Sequence, residues 1–130
     1  MKKTIKELQN EIIKEYRMTI KEKSSCYGRT HVHVQKRIIC KWKQLNSVKS
    51  LFTLLHEIGH CENNNSKMRR CEQEYYATQW ALDKCKEYGI EVSDDIIDRY
   101  QRYIYRELAR GKRRGGVGYL NEEEMRLERW

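Results

Sequence analysis

Apolar residues recur at steps of three and four from near the start of the chain, at Ile5, Leu8, Ile12, Tyr16 and Ile20, with Lys and Glu between them. That is the period of an amphipathic helix, and it predicts one over 5–22. Ser24-Ser25-Cys26-Tyr27-Gly28 breaks the period and reads as a loop. From Arg29 to Gln35 the pattern becomes an alternation, with Val32 and Val34 on one side and His31 and His33 on the other, followed by Ile38-Ile39-Cys40 and Trp42; this is the predicted strand region. Helical spacing returns at Leu51, Phe52, Leu54, Leu55 and Ile58, an apolar stripe that would bury one side of a helix. After the polar link Asn63-Asn64-Asn65-Ser66, Ala77, Trp80, Ala81 and Cys85 mark another helix. Lys84 and Lys86 suit its negative end, and Gly89 is a natural stop. Ser93-Asp94-Asp95 opens a further helix continued by Ile97, Tyr100, Ile104 and Leu108, with Gly111 as its expected stop. Gly115-Gly116-Val117-Gly118 then reads as a joint before Asn121-Glu122-Glu123-Glu124, a short capped helix in a tail over 112–130 that is either flexible or folded over a cleft.

The 130 residues fit one domain, 1–130, with no proline and no internal repeat to mark a boundary. No stretch of about 18 apolar residues offers a bilayer span, and Met1-Lys2-Lys3-Thr4-Ile5-Lys6 leads into the amphipathic pattern, not an apolar signal core. A cytoplasmic protein without a membrane partner is expected. The five cysteines, Cys26, Cys40, Cys61, Cys71 and Cys85, are an odd set without a C-x-x-C pair, which fits reduced thiols better than a disulfide framework.

The helix after the strands carries His56-Glu57-Ile58-Gly59-His60, two imidazoles and a carboxylate in the H-E-x-x-H order of zinc-dependent hydrolases. Shuffling a chain of this composition would yield the pattern on the order of 0.01 times, so chance competes weakly. Residues i and i+4 share a helix face with Cβ atoms roughly 5–6 Å apart, so His56 and His60 can reach one ion. Catalytic zinc takes three protein ligands and leaves the fourth position to water. Glu57 is placed as the general base, taking a proton from water and returning it to the departing amine. A third ligand is offered by Glu72 or Glu74 on the next helix, where the small Ala77 and Ala81 allow close approach. Cys61 and Cys71 also flank the site, although thiolates more often mark closed structural centres.

With Leu54-Leu55-His56-Glu57-Ile58-Gly59-His60 and the later Glu74-x-x-Ala77-x-x-Trp80-Ala81, the chain resembles the ImmA/IrrE family of metallo-endopeptidases, found in phages and mobile elements. The resemblance covers roughly residues 29–88, and it implies an α+β fold: a mostly helical minimal zincin-like domain with a small β-sheet packed on the H-E-x-x-H helix, whose edge aligns an extended peptide. It implies Zn²⁺ as cofactor and Glu74 as third ligand, with Glu72 as fallback. Thr78 departs from the Asp or Asn of many relatives, where a carboxylate would orient a ligand histidine, so that support must come from elsewhere. The implied partner is a protein substrate, a helix-turn-helix repressor or antitoxin-like regulator, encoded separately because residues 1–23 are too short for such a domain.

The net charge of +8, densest at Arg110-Gly111-Lys112-Arg113-Arg114 and at Lys2, Lys3 and Lys6, permits nucleic-acid contact without demanding it, since a charge run most often is a solvated surface. Two other readings use the same residues. One is a non-proteolytic, metal-stabilised regulatory or DNA-associated binding protein. The other is a protease similar to SprT-like domains, which usually take a third histidine as ligand; none follows His60 here. His31 and His33 share a strand face and could be read as a second metal site, against the commoner solvated face. Tyr75, Tyr76, Tyr100 and Tyr103, with His31 and His33, are candidates by chemistry for stabilising an oxyanion.

Overall fold

The computed structural model describes residues 3–21, 30–33, 36–40, 42–63 and 68–128, and for 21, 30–33 and 36–40 only the backbone course. The expected loop at Ser24–Gly28, most of the link at Asn63–Ser66, and the side chains of His31 and His33 lie outside the described residues. The chain is mostly helical: α1 (Ile5–Glu15), α2 (Val48–Glu62), α3 (Arg70–Glu87) and α4 (Asp94–Arg113), with short strands β1 (Thr19–Lys21), β2 (Thr30–His33) and β3 (Lys36–Cys40). The strands order as β1-β3-β2, with β1 parallel and β2 antiparallel to β3.

The helix expected over 5–22 ends at Glu15, a correction with a local cause. Arg17 adopts φ 54°, and the N–H groups of Arg17 and Met18 return to the carbonyls of Lys14 and Ile13. This is a helix-terminating turn of the kind glycine usually makes. Ile20, the last member of the helical pattern, thereby moves into β1 beside Ile39, where β-branched Thr19 and Ile20 suit a strand. What remains of the helix buries Ile12 in the core and sets the Tyr16 ring edge-on to Trp80 of α3, 5.6 Å between centroids. The helix pair of the motif is therefore the partner of α1.

α2 is the centre of the molecule. Ser47 caps it by accepting from the Ser50 N–H, and the Trp42 indole donates to the Ser50 carbonyl at 2.9 Å, fixing where the helix begins. The expected one-sided stripe is an understatement, because Leu51, Phe52 and every residue from Leu54 to Gly59 are buried. α1 and α3 pack against it, α4 reaches it through the Tyr100 ring, and β2 runs beside it. α3 stops where Gly89 takes φ 71°, with Ile90 N–H reaching back to the Cys85 carbonyl. α4 starts at the Ser93 cap as the sequence indicates, but it runs past Gly111 to Arg113. A Cβ at Gly111 would collide with the Tyr119 hydroxyl, so this glycine serves close packing, and the left-handed turn falls to Gly115 at φ 84°.

After α4 the chain folds back. Asn121 and Glu124 exchange side-chain-to-backbone hydrogen bonds around a turn instead of the expected short helix. Gln101 on α4 donates to the Met125 carbonyl and accepts from the Leu127 N–H at 2.6 Å, and Met125 and Leu127 are buried in the core.

Gln9 on α1 is fully buried, and both polar atoms of its amide lack hydrogen-bond partners among the described residues. Such a group carries a desolvation cost of about 1–3 kcal/mol. Replacing it with the similarly shaped Met is expected to raise stability by about 1 kcal/mol in chemical denaturation. A drop in stability would show that the amide is satisfied in solution.

Candidate metal centre

His56 and His60 lie one turn apart on α2, and Glu74 lies one turn into α3, which crosses them closely. A Cβ added to Gly59, the residue before His60, would stand 2.6 Å from the Ala77 carbonyl oxygen. Only hydrogen fits there, so the glycine of the motif and the buried Ala77 and Ala81 let the helix backbones approach until a short side chain spans the gap. Glu74 Oε2 then sits 3.1 Å from His56 Nε2 and 3.2 Å from His60 Nε2. One ligand atom from each of the three residues lies within 4.8 Å of the other two.

These distances suit a metal. An ion about 2.0–2.1 Å from each donor in a tetrahedron separates neighbouring donors by about 3.3 Å. His56 and Glu74 are buried and His60 is more open, at 20% side-chain exposure, so solvent reaches the group from the His60 side. The buried His56, His60, Glu74 group could thus hold a metal ion. Glu72 is not part of it, and neither cysteine named from the sequence belongs to the metal-ligating group found among the described residues. Cys71 is buried, and burial pushes its thiol above the ordinary value.

The surroundings explain how the group is held. Thr78, at the position where a carboxylate would steady a histidine, instead donates its hydroxyl to the Glu74 carbonyl one turn back, at 2.7 Å. The Nδ1 of His56 faces Glu57 Oε1 at 3.6 Å, so Glu57, itself buried, borders the ring nitrogen that is turned away from Glu74. The Tyr100 ring of α4 packs against the His56 ring at 4.8 Å and against Phe52 at 4.9 Å, forming a wall. Burial pushes the Tyr100 phenol up to about 12, against the opposing pull of a hydrogen bond with Thr53.

Arg70, which sequence reasoning passed over, brings its Nε to 3.5 Å from Glu74 Oε1 and donates from Nη2 to the Tyr103 hydroxyl at 3.4 Å. The i,i+4 spacing from Arg70 to Glu74 was the available signal. Of the other tyrosines singled out, Tyr75 and Tyr76 pack on each other.

Burial works against a charged His56, but the carboxylates of Glu57 and Glu74 outweigh it and raise its pKa to about 9. Burial likewise opposes ionisation of Glu74, and the two histidines overcome it, holding the carboxyl well below its ordinary range.

No protein-family model, no curated protein and no solved structure matches the chain.

Two predictions follow from this geometry. Glu74→Ala is expected to lose most bound metal and Glu72→Ala to retain it, measured by metal analysis after gel filtration; the reverse would move the site by two residues. The second concerns pH. In the metal-free chain the raised His56 pKa contributes stability that is complete below 6.5 and lost as pH climbs through about 9. The lowered Glu74 pKa contributes stability complete above 4.5 and lost as pH falls through its folded value. Metal must displace the His56 proton, so its affinity moves the opposite way, rising about tenfold per pH unit up to about pH 9. Calorimetry in buffers of different ionisation enthalpy should count close to one proton released at pH 7. No release would contradict the protonated state.

Proposed function

We propose that the chain is a zinc-dependent metallo-endopeptidase of the ImmA/IrrE type. The observation that carries this reading is the meeting of His56 Nε2, His60 Nε2 and Glu74 Oε2, with buried Glu57 directly after the first histidine. His56, His60 and Glu74 would hold Zn²⁺, whose borderline-soft character suits two imidazoles and a carboxylate. When bound, zinc supplies Lewis acidity that polarises an amide carbonyl and acidifies water. Structural zinc sites close with four protein ligands, whereas three donors gather here among the described residues, which favours a centre that keeps a position open.

Glu57 is the proton carrier on this reading: it takes a proton from water and delivers it to the departing amine nitrogen. Arg70 steadies Glu74 by engaging Oε1, leaving Oε2 toward the histidines. Tyr100 closes one side of His56 to water. An extended peptide could add to the edge strand β2, which runs beside α2. That the substrate is a helix-turn-helix repressor or antitoxin-like regulator of a phage or mobile element rests on the family resemblance alone.

Glu57→Gln keeps the ligands and removes the proton acceptor. It is expected to bind one equivalent of zinc like the parent while hydrolysis of a pool of unstructured peptides, read by mass spectrometry, falls by at least about 10²-fold. Undiminished hydrolysis in the variant overturns the assignment of Glu57. A parent that binds zinc, cleaves no peptide and keeps its biological activity as Glu57→Gln would favour a metal-stabilised regulatory or DNA-associated binding role.

A further inference from the structure

Beyond the His56, His60, Glu74 group, a cleft of about 290 Å³ lies between the start of α3, the end of α4 and the chain that follows it, lined by Arg69, Arg70, Arg110, Arg114, Glu107 and Tyr119, among others. Four guanidinium groups border this space. Arg110 reaches Glu107 at 3.4 Å and Arg70 reaches Glu74, while Arg69 and Arg114 meet no carboxylate among the described residues. Two positive charges are therefore left without a counter-charge.

Basic residues in the last turn of α4 complement the negative end of that helix, which accounts for Arg110, Lys112 and Arg113. It does not account for Arg69, on another element. Arg69 stands at the cap position of α3 and makes no capping bond with its side chain. Its guanidinium carbon lies 4.0 Å from the centre of the Tyr119 ring. Gly118, at φ 77°, packs beside it, where a Cβ would stand in van der Waals contact with Nη2 at 3.7 Å. The guanidinium is thus held in place, yet its Nη1 is buried and has no hydrogen-bond partner among the described residues. Nη1 itself is closed to solvent, so the cleft's capacity for an anion rests on the guanidinium groups of Arg69, Arg70, Arg110 and Arg114 that line it together.

We propose that this cleft binds a phosphate group, either free or as the terminal phosphate of a small nucleotide. Guanidinium forks match the oxygens of a tetrahedral oxyanion in pairs, and a dianion balances the two uncompensated charges where a single carboxylate would not. Tyr119, Cys71, two glycines and the arginine stems give the walls an apolar share, and the charged groups among them are four guanidiniums and the Glu107 carboxylate, so the net charge of the lining favours an anion. Arg70 belongs to both places, touching Glu74 on one side and bordering the cleft on the other, so the anion would bind next to the metal centre. The proposal does not depend on peptide hydrolysis.

The test is a titration of the full chain with inorganic phosphate, and separately with adenosine monophosphate, at low ionic strength, following arginine Nε–Hε signals by NMR. Saturable one-to-one binding below about 1 mM is expected. Arg110→Gln and Arg114→Gln, both at exposed positions, are each expected to weaken it about tenfold, Arg114→Gln with unchanged thermal stability because Arg114 pairs with no carboxylate among the described residues. Lys86→Gln, an exposed change of equal charge at the far end of α3, should leave it as it was. Tighter binding of the nucleotide by tenfold or more identifies a nucleotide as the source of the phosphate; equal or weaker binding identifies the free anion. Absence of saturation, or equal weakening by Lys86→Gln, overturns the proposal, because the response would then follow net charge alone.

Discussion

Two histidine nitrogens and one carboxylate oxygen meet between α2 and α3, and the packing of the molecule follows from bringing them together. Glu74 has a short reach, so the helix axes must come close, and the crossing is built from Gly59, Ala77 and Ala81, where a single added methyl would strike the Ala77 carbonyl. Burying such a group is costly unless its charges are matched. The matching is local: the carboxylates of Glu57 and Glu74 favour the charged His56, the histidines favour ionised Glu74, and Arg70 engages the second oxygen of Glu74. A metal ion placed among the three donors would replace the His56 proton as the balancing positive charge.

The remaining elements act as walls and braces for this crossing. α4 contributes the Tyr100 ring against His56 and the Tyr103 hydroxyl against Arg70, so it touches the site through two side chains three residues apart. The residues after α4 return over α3 and α4, with Gln101 holding the backbone of Met125 and Leu127 and Gln79 accepting from the Glu128 N–H. α1 closes the opposite side through Ile12 and the Tyr16–Trp80 contact. The site is therefore shaped by helices on which only some of its own residues lie.

What could be read from the sequence was what depends on neighbours along the chain. His56, Glu57 and His60 announce themselves because one helical turn brings i and i+4 together, and Gly89 and Ser93 mark helix ends through chemistry local to each. Glu74 came from the register of a resemblance, and periodicity alone left Glu72 equally open. The misses are of another kind. Arg17 makes a left-handed turn without glycine, so nothing in the pattern warned that α1 stops at Glu15. Gly111 looked like a stop because its partner Tyr119 lies in the tail, and the polar Gln9 was hidden on a face judged by its apolar members. Tyr100 was one tyrosine among several until α4 was placed against α2. The basic run at 110–114 reads as a solvated surface in sequence because Arg69 and Arg70, which complete its cleft, are remote along the chain.

The central claim is that one ion is held by two imidazoles and a carboxylate, and X-ray absorption at the zinc edge of the reconstituted protein tests it most directly. The account predicts a first shell of nitrogen and oxygen at about 2.0–2.1 Å, with the outer-ring scattering of two imidazoles and no sulfur. A sulfur shell at about 2.3 Å, or a shell of oxygen without imidazole, would contradict it.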